Sequence, residues 1–298
     1  MDGMQKRLSH IDELEKKCDT LEKKCTHLDV RCDSLQRSVQ ILSKESKWKY
    51  SAPPIPVSHW RGFPEDYVDS MQTLLSDINE YTCALRSGKS IGLSTLYLGL
   101  DEALLQHDDK LLPHWEELAN ALQLYNEEGG LYLSITNIQL MSSVIDLLAS
   151  ALKGKPINGL TLFNNDFEDT HKGIEFIAEC IKSNDRLQKF HWTGNQIRSQ
   201  EDAHRLLKSI IDNPSIENVR LENCLRRGDI NSYDAICYLL ARDKRCLEID
   251  FDNNNINTGG NTNIQDYIAS NPPLKSLLLS GNKLNDDDII LIAQALKC

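Results

Sequence analysis

Few residues in this chain are of types and spacings that could do covalent or metal chemistry. His107, Asp108, Asp109 and His114 are all metal-ligand types. Structural and catalytic metal sites rely on a repeated ligand spacing that these four lack, so they read as a solvated turn. Gly88-Lys89-Ser90 matches the tail of a phosphate-binding loop. That loop needs a glycine where Cys83 stands and a strand before it, where the apolar spacing predicts a helix. Arg227-Gly228-Asp229 is the cell-adhesion tripeptide, which in a chain expected to carry no secretion signal reads as a loop. No Gly-x-Ser-x-Gly elbow, His-Glu-x-x-His helix or calcium loop occurs. The reading is therefore of a protein that is not an enzyme, with no catalytic, cofactor or metal residues, whose chemistry is recognition.

The elements that would carry recognition show in a short pattern that recurs through residues 131–284. Each copy is an apolar residue, two free positions, apolar, one free, apolar, two free, then usually Asn, one free and apolar. It reads Ile157, Leu160, Leu162, Asn165, Phe167, and again Leu187, Phe190, Trp192, Asn195, Ile197. Two later copies are Cys246, Ile249, Phe251, Asn254, Ile256 and Leu274, Leu277, Leu279, Asn282, Leu284. Thr136 and Cys224 hold the Asn slot in the copies built on Leu131, Leu133, Ile138 and on Ile216, Val219, Leu221. Successive slots at 136, 165, 195, 224, 254 and 282 lie 28 to 30 residues apart, and a period of that size means a solenoid.

Apolar residues two apart put one face of a short strand inward and leave the alternate residues free. Where the strand turns inward, peptide groups lose their ladder partners, and an Asn amide can both donate to and accept from them. Residues 144–152, 174–181, 203–211 and 235–240 then carry apolar side chains three and four apart, the pattern of amphipathic helices. Asn213-Pro214-Ser215 and Asn271-Pro272-Pro273 punctuate the returns. A strand and a helix in about 29 residues cannot bury their own apolar face, so copies must stack.

These residues resemble leucine-rich repeats, and the repeat length with a full helix is similar to the ribonuclease-inhibitor-like class. The resemblance spans residues 126–298 as six copies. It implies an α/β leucine-rich-repeat solenoid, a horseshoe with a concave parallel sheet and convex helices, and it implies binding to a protein partner. Alternatives by the same resemblance are a GTPase activator of the Ran-activator type, using Arg220, Arg226 or Arg227, and a ribonuclease-inhibitor-like inhibitor. The free strand residues would line the concave face: Tyr132, Thr161 and Phe163, His191 and Thr193, Arg220 and Glu222, Asp250 and Asp252. Outward aromatic residues such as Tyr132 and Phe163 suit interface anchors, or else pack across strands. Glu222, Glu248, Asp250 and Asp252 make the later half acidic, matching a partner of basic or mixed charge.

Ahead of the repeats, residues 1–50 follow heptads. Cys18, Cys25 and Cys32 fall on one seam position, and Leu14, Leu21, Leu28 and Leu35 on the other. Lys17 faces Glu22 and Lys24 faces Asp29 across a parallel, in-register pair, so a parallel homodimer is expected, with a heterotypic partner as the alternative. The seam thiols serve as small apolar fillers or as interchain disulfides. Residues 51–58, containing Pro53-Pro54-Ile55-Pro56, form an extended linker or a ligand for a proline-binding module, with Trp48, Tyr50, Trp60 and Phe63 docking it. Residues 59–125 form a helical N-terminal cap: a helix over 64–85, a degenerate first repeat on Leu93, Leu96 and Leu98, and a helix over 113–124. At the other end, an exposed edge strand is expected.

The 298 residues hold 33 Lys and Arg against 44 Asp and Glu. The first 50 are slightly basic, so the remainder is strongly acidic, which argues against nucleic acid. Nine Cys without a Cys-x-x-Cys pair read as reduced thiols in a cytoplasmic or nuclear protein. No run of about 18 apolar residues exists to predict a membrane span.

Overall fold

The computed structural model describes residues 17, 48–87, 95–100, 103–125, 129–226, 230–242 and 245–296. The expected dimer seam of Leu14, Cys18, Leu21, Cys25, Leu28, Cys32 and Leu35 lies outside the described residues, as do Gly88-Lys89-Ser90 and Arg227-Gly228-Asp229. The chain divides into two units, residues 1–49 and 50–298.

In the second unit the chain alternates strands and helices: α1 (Glu65–Arg86), β1 (Thr95–Leu98), α2 (Leu112–Leu124), β2 (Leu131–Thr136), β3 (Gln139–Leu140), α3 (Ser142–Leu152) and β4 (Ile157–Phe163). It continues through β5 (Asp166–Phe167), α4 (Thr170–Lys182), β6 (Lys189–Thr193), α5 (Gln200–Asp212), β7 (Asn218–Arg220) and α6 (Ser232–Leu240). The last four elements are β8 (Glu248–Asp250), α7 (Asn263–Ala269), β9 (Ser276–Leu278) and α8 (Asp286–Ala295). Seven strands form one parallel sheet in the order β1-β2-β4-β6-β7-β8-β9, and β3 pairs with β5 beside it. Each main strand is followed by a helix before the next strand joins the same edge, so the fold is repeat-like α/β.

Register aligns the apolar pattern. Leu96, Leu133, Leu160, Phe190, Val219, Ile249 and Leu277 are consecutive cross-strand neighbours. All but Leu277 are buried to 1% exposure or less, which places the core between sheet and helices. Phe167 stacks on Trp192 with centroids 5.2 Å apart. Its ring lies where a Cβ on Gly173 would be, 2.4 Å from the Phe167 Cδ1, so α4 needs glycine there to approach.

The slot asparagines link neighbouring turns. Asn165 donates from Nδ2 to the Ile135 carbonyl at 2.8 Å, and its own N–H donates to Asn195 Oδ1 at 2.6 Å. Asn195 donates to the Leu162 carbonyl, Asn254 to the Leu221 carbonyl and Asn282 to the Phe251 carbonyl. Asn254 also accepts from the Cys224 N–H at 2.9 Å. A thiol at 224 has no amide to offer, so the side-chain ladder has its gap there. The residue before each of these slots is left-handed: Asn164, Asn223 and Asn253 at φ 49° to 60°, Gly194 and Gly281 at φ 72° and 68°. That backbone turn explains why only Asn or Gly precedes the slot.

Candidate functional site

The outward face of the sheet is built by register. Tyr97, Ser134, Thr161, His191, Arg220, Asp250 and Leu278 form one row across all seven strands. A second row runs Thr95, Tyr132, Gly159, Lys189, Asn218, Glu248 and Ser276. Phe163 pairs with Thr136 on one side and Thr193 on the other.

These residues divide by what they touch. Arg220 Nε lies 2.9 Å from Asp250 Oδ2, and Asp250 Oδ1 accepts the Asp252 N–H at 2.9 Å, so Asp250 is 7% exposed and internally neutralised. Asp252 Oδ1 accepts the Ser280 N–H at 2.5 Å, and Glu222 receives Asn253 Nδ2 at 3.4 Å. His191 donates from Nε2 to Asn218 Oδ1 at 2.9 Å, and Asn218 Nδ2 donates on to Glu248. Burial, with the positive charges of Arg220 and Lys189, holds the His191 pKa below the ordinary imidazole value. The polar middle of the face is thus a fixed hydrogen-bonded lattice, and its arginine is committed to its own sheet.

The aromatic expectations separate. The Tyr132 ring lies flat over Gly159, where a Cβ would come within 2.2 Å of its Cδ1, so this ring packs across strands. Thr193 is buried. Phe163 remains half-exposed between Thr136 and Thr193. Tyr97, 62% exposed, and Leu278, 41% exposed, stand at the two edges of the first row. The sequence reading missed Tyr97, although it recognised Leu96 and Leu98, whose spacing already turns the residue between them outward.

The histidine and aspartate cluster does not converge. His59 Nε2 pairs with Asp108 Oδ2 at 2.5 Å, and Lys110 Nζ lies 3.0 Å from His59 Nδ1. His107 reaches Asp109 at 3.4 Å. His114, expected in a solvated turn, is 4% exposed, because the strap of residues 50–56 covers it. Tyr50 Oη lies 2.6 Å from His114 Nδ1, and His114 Nε2 lies 3.1 Å from the Pro53 carbonyl. Among the described residues no group of three or more His, Cys, Asp or Glu side chains is arranged to hold a metal ion. Of the arginines weighed for phosphoryl chemistry, Arg226 bonds to Asn223 Oδ1 at 3.2 Å, and Arg227 lies outside the described residues.

On the helical side a groove of about 830 Å³ opens beside α6 and α7. Tyr238 stands in it with the His204 ring edge-on at 4.5 Å and the Arg242 guanidinium at 4.2 Å. Among the described residues no helix is long and apolar enough to cross a membrane. No protein-family model matches the chain, and no curated protein matches it either.

Proposed function

We propose that this chain is a non-catalytic protein-interaction scaffold of the leucine-rich-repeat, ribonuclease-inhibitor-like class, with a protein partner on the outward face of its sheet. The single observation behind this reading is the composition of that face. Tyr97 and Leu278 are exposed and Phe163 half-exposed apolar groups outside the core, held on strands whose intervening polar residues already satisfy one another. Rigid aromatic anchors around a preorganised polar lattice are what interface centres are made of. Residues 126–298 act as the repeats, 59–125 as the cap and 1–50 as a parallel coiled coil that doubles the face and gives avidity for a dimeric partner. Glu222, Glu248 and Asp252, the carboxylates not paired to arginine on that face, favour a partner with basic groups toward the β9 side.

The test is affinity capture with the intact protein and with Tyr97→Ala/Phe163→Ala. Both positions lie outside the core, so the variant is expected to keep its circular dichroism and melting point while losing the captured protein. An unchanged set of captured proteins with a folded variant overturns the reading. Separately, Leu21→Asp/Leu28→Asp is expected to halve the mass measured by light scattering; an unchanged mass removes the coiled-coil dimer.

A further inference from the structure

The strap over His114 has a second aspect. Proline fixes its own φ and drives the residue before it into the extended region. Pro53 and Ile55 each precede a proline, so past the bend at Ala52 residues 53–56 are confined to the three-residue turn of a polyproline helix. Pro56 sits at φ −70° and ψ 146°, the polyproline value. Burial follows the same period of three. Ala52 and Ile55 are half-buried, with Ile55 against the core, whereas Pro53 and Pro56 share one exposed edge and Pro54 and Val57 the other. Val57, the first residue of a 3-10 turn over Val57–Trp60 that ends the proline run, is a branched apolar side chain left 56% exposed.

The inward edge is held down at several points. His114 fixes the Pro53 carbonyl and the Tyr50 hydroxyl, and Glu117 accepts from the backbone N–H and the hydroxyl of Ser51. Two outward edges of proline and valine, with prolines at i and i+3, are thereby presented in a fixed conformation. A plain connector would need neither the spacing nor the anchoring. Basic residues bracket the segment in sequence: Lys49 before it and Arg61 after it, both exposed.

We propose that residues 53–56, with the exposed Val57 that follows them, are a docking site for a partner domain whose aromatic-lined groove recognises polyproline helices and carries acidic side chains beside it. Such grooves grip two edges of a left-handed proline helix and leave the third free, and here the third is the one the protein holds itself. Anchoring removes the ordering cost that a free proline peptide pays on binding. The site is separate from the sheet face, so the scaffold reading and this one can fail independently.

The experiment titrates the full-length protein with a panel of purified SH3 and WW domains, followed by the tryptophan fluorescence of their grooves. Binding by at least one domain is expected, weakened roughly tenfold or more by Pro53→Ala/Pro56→Ala and by Val57→Glu, and unaltered by Tyr97→Ala. Val57→Glu changes only an exposed edge, which guards against a loss caused by a detached strap. No binding across the panel, or binding that both variants leave intact, overturns the proposal.

Discussion

The two edges of the seven-stranded sheet are treated differently. Beside β1 stands α1, a helix of 22 residues whose Met71, Leu74 and Ile78 are at most 1% exposed, with Trp60 just ahead of it in sequence at 3%. Beyond β9 no strand follows among the described residues, and Leu274, Leu277, Leu279, Leu284 and Ile292 are only partly covered. Aligning α8 with the interior helix α5 by their caps sharpens the contrast. Ser199 and Asn285 each accept from the N–H three residues on, belonging to Asp202 and Asp288, and both aspartates are buried. One turn and three turns on, Ala203 and Ile210 are at most 1% exposed, whereas their counterparts Ile289 and Leu296 are 52% and 71% exposed. The same apolar stripe is thus core in one unit and surface in another. Burial in a repeat comes from the neighbouring unit, as expected where stability sums intrinsic and nearest-neighbour contributions.

The largest effect expected follows from that pair. Ile210→Ala removes a side chain packed on every side and should cost about 3 to 4 kcal/mol, whereas Leu296→Ala should stay within about 0.5 kcal/mol. Urea unfolding of the two variants measures both. Equal losses would mean that α8 is covered in solution, and the contrast between the ends would disappear.

The slot amides give a smaller version of the same comparison. Asn195 is fully buried and serves the Leu162 and Thr193 carbonyls as well as the Asn165 N–H. Asn195→Ala leaves these without partners where water cannot reach, a loss of about 2 to 3 kcal/mol. Asn282 bonds to more groups, but it sits half-exposed at the open edge. Water can replace an amide there, so Asn282→Ala should cost about 1 kcal/mol. A reversed order in the two denaturation midpoints would show that edge position does not govern the ladder.

What the sequence disclosed was whatever repeats. Leu160, Phe190, Ile249 and Leu277 recur at fixed spacing, and spacing alone put them in one row. The helices emerged with boundaries a few residues longer than their apolar stripes, because caps such as Asp169 and Ser199 lie outside the stripe. Pairing between different repeats was not legible. Nothing in the local sequence of Asp250 says that Arg220 lies opposite it, about 30 residues away. Its acidity was read as surface charge, whereas the register buries its carboxylate beneath an exposed arginine. Likewise Tyr132 and Phe163 look alike as outward aromatics, and only Gly159 on the adjoining strand decides that Tyr132 lies down. The left-handed Asn or Gly before each slot was visible in the sequence as Asn164, Gly194, Asn223, Asn253 and Gly281, and its regularity could have been used.

The smallest predicted effect concerns pH and sets interior histidines against a surface one. His114, between Tyr50 and Pro53, and His191, beneath Arg220 and beside Lys189, have pKa values lowered chiefly by burial. Glu117 near His114 and Asp250 near His191 pull the other way without reversing the direction. The unfolded chain therefore binds more protons than the folded one as pH falls below about 6.5, and stability must decline between that value and the lowered folded pKa. His171 runs opposite. Its contact with Asp202 at 2.6 Å raises its pKa, so its contribution is present below about 6.5 and fades as pH rises through the folded value. His171 is at the surface, where screening shrinks such contributions, so the two interior groups should set the sign. Melting temperatures should fall from pH 7 to pH 5.5, with a shallower slope in His191→Gln and a steeper one in His171→Gln. A steeper slope in His191→Gln would mean that this ring carries its proton in the folded protein and adds a positive charge to the polar middle of the sheet face.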